Sequence, residues 1–116
     1  MYRKIAAQEL ADFLGTISHP IRIRIIEELK DGELDVSSLQ KILTENQSRI
    51  SQNLSLLKAQ RLVLERKEGR RVYYRLAQPV LAEWLIKGLD IISMKADTEK
   101  MLSKAILSAK KKWGKA

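Results

Sequence analysis

Gln47–Val63, QSRISQNLSLLKAQRLV, is the stretch whose reading decides the fold. Ile50, Leu54 and Leu57 recur at i, i+4 and i+7, so on a helix they form one narrow apolar stripe that packs on a core. At about 100° per residue, Ser48, Gln52 and Ser55 project away from that stripe, with Arg49 and Ser51 flanking them. No carboxylate stands on this outer face. A solvated face on a protein this charged ordinarily mixes Glu with Lys. Hydroxyls, amides and a guanidinium are instead the groups that hydrogen-bond base edges and phosphates. Residues 46–60 therefore read as a recognition helix, with a plain polar surface helix as the alternative.

On the N-terminal side, DVSSLQKIL offers Asp35 as an N-cap, followed by Val36, Leu39, Ile42 and Leu43 at helical spacing. The polar link Thr44-Glu45-Asn46 joins this short helix to the next. Two short helices in tandem, the second with a polar outer face, make the helix-turn-helix pattern. The glycine expected after the second helix is missing. Arg61 stands where a positive φ would terminate it, at a cost of up to about 1–2 kcal/mol.

On the C-terminal side the period changes to two. Val72, Tyr74 and Leu76 alternate with Arg71, Tyr73 and Arg75, and LVLERK precedes them as a pairing strand. Glu68-Gly69-Arg70 is the tip, with Gly69 supplying the backbone freedom of a tight turn. A basic ribbon over 62–76, attached to a helix-turn-helix, reads as a wing that lies on phosphates or in the minor groove.

Further out, Tyr2–Leu14 carries Ile5, Leu10, Phe13 and Leu14 among helix formers, predicting a first amphipathic helix that ends near Gly15. SHPIRIRIIEELKDG predicts a second, capped by Ser18 or His19, entered through Pro20, buried on more than one side through Ile21, Ile23, Ile25, Ile26 and Leu29, and stopped by Gly32. From Pro79 the apolar residues Leu81, Trp84, Leu85, Leu89, Ile92 and Met94 form a wide face. Asp97-Thr98 divides this region into two helices, 79–95 and 98–113, in preference to one rod, with Met101, Leu102, Ala105, Ile106, Ala109 and Trp113 repeating the stripe. A small core has little room for so much apolar surface, so the helices of 79–113 are expected to meet a second subunit, with packing on the first helix, 1–15, as the alternative. The class is mainly α with a small β-hairpin (α+β), a dimeric winged helix-turn-helix, and the chain reads as a single domain.

Composition agrees with a polyanion as partner. The 116 residues carry 22 Lys and Arg against 14 Asp and Glu, a net charge of +8. Between Thr44 and Arg75 eight basic residues (Arg49, Lys58, Arg61, Arg66, Lys67, Arg70, Arg71, Arg75) face three acidic ones (Glu45, Glu65, Glu68). The chain has no cysteine, which removes disulfides, thiolate metal sites and cysteine nucleophiles. No apolar run approaches the roughly 20 residues of a membrane span, and the N-terminus lacks a secretory apolar stretch, so a soluble cytoplasmic protein is expected. No glycine-rich phosphate loop and no histidine beside a nucleophile argue for an enzyme.

Four segments together resemble the ArsR/SmtB family of prokaryotic winged helix-turn-helix repressors: SHPIRIRIIEEL, GELDVSSLQKIL, QSRISQNLSLLKAQRLV and EGRRVYYRL, in order from Ser18 to Leu76. The resemblance implies a homodimer, joined through the first and the C-terminal helices, on an operator of two-fold symmetry. Metal-sensing members place a cysteine pair in the segment that here reads Glu33-Leu34-Asp35-Val36-Ser37, and Asp35 and Ser37 hold those places. A second family site uses His and carboxylates on the C-terminal helix, but the region from Pro79 has Asp90, Asp97 and Glu99 and no histidine. His19, the sole imidazole, reads as a residue that leads into a helix. Neither metal nor cofactor is expected. The expected contacts to double-stranded DNA are Gln47, Ser48, Arg49, Ser51, Gln52, Asn53 and Ser55 on the helix and Lys67, Arg70 and Arg71 on the wing. An RNA-binding or protein-docking winged helix that reads no duplex sequence is the alternative.

Overall fold

The computed structural model describes residues 1–95 and 100–114, which form two compact units meeting at Gln78/Pro79. The first unit holds helices α1 (Tyr2–Ile17), α2 (Pro20–Glu28), α3 (Val36–Leu43) and α4 (Gln47–Ala59) and strands β1 (Leu34–Asp35), β2 (Val63–Glu68) and β3 (Arg71–Leu76). The second holds α5 (Val80–Lys95) and α6 (Lys100–Trp113).

The stripe on α4 behaves as its spacing demands: Ile50, Leu54 and Leu57 are fully buried, each contributing on the order of 1.5–3 kcal/mol. They join Ile17, Ile25, Ile26, Leu29, Leu39, Leu43, Val63, Tyr74 and Leu76 in the core of the first unit. Asp35 caps α3 by accepting the Ser38 N–H at 3.1 Å, and Asn46 caps α4 by accepting the Arg49 N–H at 2.8 Å. After α4, Arg61 takes φ +58°, as the missing glycine implied. Its N–H reaches the Lys58 carbonyl and that of Leu62 the Leu57 carbonyl, the paired bonds of a Schellman ending. Thr44 repeats the device after α3 with φ +56°. A β-branched residue there adds strain of about 1–2 kcal/mol to the turn between the two helices.

Three expectations need correction. The first helix does not stop near Gly15 but runs to Ile17, because a glycine inside a helix costs only about 1 kcal/mol and the extra turn seats Ile17 in the core. Ile42, assigned to the α3 stripe, is 41% exposed, while Leu39 and Leu43 do the packing. The wing is also not a two-stranded ribbon. Leu34 and Asp35 pair antiparallel with Tyr74 and Tyr73, giving a sheet of order β1-β3-β2 with β3 in the centre. A two-residue strand has no periodicity to betray it.

In the hairpin, Val63 pairs with Leu76 and the register continues to Glu68 opposite Arg71. Gly69 has φ +61° whereas Arg70 is not left-handed, the combination of a type II′ turn. In the second unit, Lys110 of α6 pairs with Asp90 of α5, and Ile106 is buried as its stripe implied. The proposed division at Asp97-Thr98 lies outside the described residues. Ile91, Met94, Met101 and Leu107 remain exposed.

Candidate nucleic-acid interface

The solvent side of α4 carries the residues singled out above. Gln47, Ser48, Arg49, Gln52 and Ser55 are exposed, and Ser51 is half-buried. The first turn has no acidic residue, so no carboxylate within the helix occupies the positive end of its dipole. Arg49 lies 3.6 Å from Glu45, a solvated i,i+4 pair of the kind worth at most about 1 kcal/mol and readily exchanged for another anion. Asn53 is placed differently. It is half-buried, its Oδ1 accepts from Arg22 Nε at 3.0 Å, and its Nδ2 donates to the Arg49 carbonyl at 2.8 Å. Both ends of its amide are engaged inside the protein.

On the wing, Lys67 and Arg70 are exposed and form no ion pair among the described residues, while Arg71 stands 3.8 Å from Asp35. Folding brings the two parts together. A concavity of about 440 Å³ is lined by Asp35, by Val36, Ser37, Ser38 and Lys41 of α3, by Gln47 of α4, and by Arg70, Arg71 and Val72 of the wing. Gln47 and the two wing arginines thus share one basin. Lys41, Ser37 and Ser38 were missed in the sequence because α3 reads as a mere support. The available signal was the i,i+4 spacing of Ser37 and Lys41, which puts both on the side of α3 away from Leu39 and Leu43.

The basic excess divides into two sets. Arg66 grips Glu33 with two bonds of 2.5 and 3.1 Å, reaches Glu68 at 2.6 Å, and lies over the Tyr73 ring at 4.6 Å. Lys58 holds Glu65 at 2.9 Å, and the Tyr74 hydroxyl donates to the same carboxylate at 2.9 Å. These pairs gather the wing's carboxylates around two cations and leave Lys67 and Arg70 to face solvent.

The hydrogen bond from Arg66 holds the Glu33 carboxyl below its ordinary range, and bonds from Lys58 and then Tyr74 do the same for Glu65. Bonds from Ser38 lower Asp35, and burial followed by the Glu65 contact pushes Tyr74 up to about 12. A depressed carboxylate stabilises the fold fully above its unfolded value and loses that contribution as pH falls through the lowered one. The melting temperature is therefore expected to hold from neutrality to about pH 5 and to fall below about pH 4. Replacing Glu33 and Glu65 by Gln should flatten that acid limb in a melting series, and an unchanged slope would contradict the assignment.

Comparison with known proteins gives concordant results. Residues 8–78 match the family model described as the N-terminal domain of the methanogenesis regulatory protein FilR1. A transcriptional repressor SmtB homolog of Synechocystis sp. is 39% identical over 71 residues, 61% of this chain and 54% of the relative, so the chain spans about half that protein's length. The biofilm growth-associated repressor of Xylella fastidiosa is 33% identical over 86 residues, 74% of this chain and 75% of the relative. The crystal structure of Rv0081 from M. tuberculosis superposes with a TM-score of 0.71 at 29% identity, covering 80% of this chain and 94% of that one. With a capped helix-turn-helix, a hairpin wing and these relatives, the chain belongs to the ArsR/SmtB family of winged helix-turn-helix transcriptional repressors.

Proposed function

We propose that the protein is a sequence-specific repressor that binds a palindromic double-stranded operator as a homodimer. The observation that carries this reading is the basin in which Gln47 at the start of α4 meets Arg70 and Arg71 of the wing, beside a helix face without carboxylates. In this reading α4 enters the major groove. Arg49 and Gln52 read base edges, since a guanidinium pairs bidentately with guanine and an amide with adenine. Gln47, Ser48, Ser51 and Ser55 contact phosphates and neighbouring bases. Lys67, Arg70 and Arg71, with Lys41 added from the structure, neutralise the backbone and supply affinity without much sequence choice. Asn53 sits at the margin and acts on the helix that bears it. Two of the relatives, the SmtB homolog and the biofilm growth-associated repressor, are named as repressors, which supports the regulatory direction.

The test is a salt titration of binding to a palindromic duplex that the protein enriches from a random duplex library, to a scrambled duplex and to single-stranded RNA. The expected result is a preference of about 10³-fold or more for the palindrome over the scrambled duplex. Equal affinity for all three would instead favour a basic docking module that reads no duplex sequence. No helix among the described residues is long and apolar enough to cross a membrane.

A further inference from the structure

Arg22 is the unassigned residue with the most consequential contacts. It lies in the first turn of α2, half-buried, and its guanidinium donates in two directions. Nε reaches the side chain of Asn53 on α4 at 3.0 Å, and one terminal nitrogen reaches the carbonyl of Thr16 at 2.8 Å. Thr16 belongs to the last turn of α1, where carbonyls have no partner within the helix and the dipole favours a cation. Asn53 passes the connection on through its bond to the Arg49 carbonyl. The result is a continuous polar bridge from the end of α1, through Arg22 and Asn53, to the backbone of α4 between Arg49 and Asn53.

The apolar stripe of α4 holds that helix against the core, but contacts of this kind are non-directional. They resist separation more than a small turn about the helix axis. A bridge of directed hydrogen bonds supplies the missing restraint, at the point on α4 from which Arg49 and Gln52 project. Two acceptors at fixed angles also require the planar fork of arginine, because an ammonium carries no such geometry. At its other end the bridge is attached to α1, whose Tyr2, Ile5, Leu10 and Leu14 are exposed.

We propose that Arg22 is a positioning residue that sets the rotation of the recognition helix relative to α1, and through it the half-site spacing the dimer accepts. This rests on the DNA reading above. Changing the spacer of an operator by one base pair moves one half-site by about 3.4 Å and turns it about 34–36°, so spacing tolerance reports the angle directly.

The experiment measures affinity for the enriched palindrome with its spacer shortened by one base pair, unchanged and lengthened by one, and for a scrambled duplex. The wild type is expected to lose about tenfold or more when the spacer changes. Arg22→Lys should compress that loss to about threefold or less, with binding to scrambled duplex unchanged. Asn53→Ala removes the bridge from its far side and should compress the spacing dependence equally, and the double variant should be no worse than either alone. Asn53→Ala thus serves as the measure where Arg22→Lys fails to fold. A wild type that discriminates while both variants keep its full spacing dependence would overturn the role of Arg22 and leave the DNA reading intact. A wild type that prefers no palindrome would overturn both.

Discussion

Replacing Ile5 and Leu10 together by glutamate is expected to yield a monomer whose operator affinity is lower by about two to four orders of magnitude, the loss that follows when two half-sites are no longer bound in one intramolecular event. The cause lies in α1. Sixteen residues long, it has only one buried side chain, Ile17, and isolated helices of this length are marginal in water. Tyr2, Ile5, Leu10 and Leu14 nonetheless lie with Phe13 on one side of it, four of the five exposed. In the second unit Ile91, Met94, Met101 and Leu107 are similarly uncovered. In the proposed homodimer a second copy of the chain covers such surface, and two buried carboxylates would be incompatible with it. Within one chain the substituted positions are exposed, so monomer stability should change by no more than about 0.5 kcal/mol. Light scattering on a sizing column, with mobility shifts on the palindrome, checks both halves of the expectation. A double variant that remains dimeric would place the subunit contact elsewhere.

The second large effect concerns how affinity and sequence choice are divided. Gln52→Ala is expected to cost about 1–3 kcal/mol on the cognate operator and to abolish the preference at one base pair in each half-site. Arg49→Ala should do the same at a different position. Arg70→Ala should weaken binding to every duplex alike and reduce the salt slope by about one. The difference follows from placement: Gln52 is exposed on the outer face of α4, whereas Arg70 occupies the hairpin tip without an acidic partner among the described residues. Affinities against a panel of single-base operator variants at three salt concentrations separate these behaviours. If Gln52→Ala and Arg70→Ala lowered specific and scrambled binding by the same factor, the division would be refuted.

What the chain discloses without its fold is whatever depends on neighbours within about one helical turn or one hairpin. Ile50, Leu54 and Leu57 announce a buried stripe by spacing alone, and all three are fully buried. Asp35 announces a cap, Gly69 a turn, and the absent glycine at Arg61 a left-handed residue, and each is found there. The resemblance to a repressor family rests on the same local signals set in order.

Tertiary structure alone decided which polar groups are spoken for. The same composition that marked 44–75 as basic conceals that Arg66 is bound to Glu33, 33 residues away, and that Lys58 is bound to Glu65. Asn53, read as a DNA contact at the margin of the outer face, turns out to hold Arg22 across a separation of 31 residues. Lys41 and Ser37 join the basin only because the wing folds back over α3. Apolar burial repeats with the period of the backbone, so it is written into spacing. A hydrogen bond needs one particular partner at about 3 Å, and for distant segments that partner is chosen only when the core has closed.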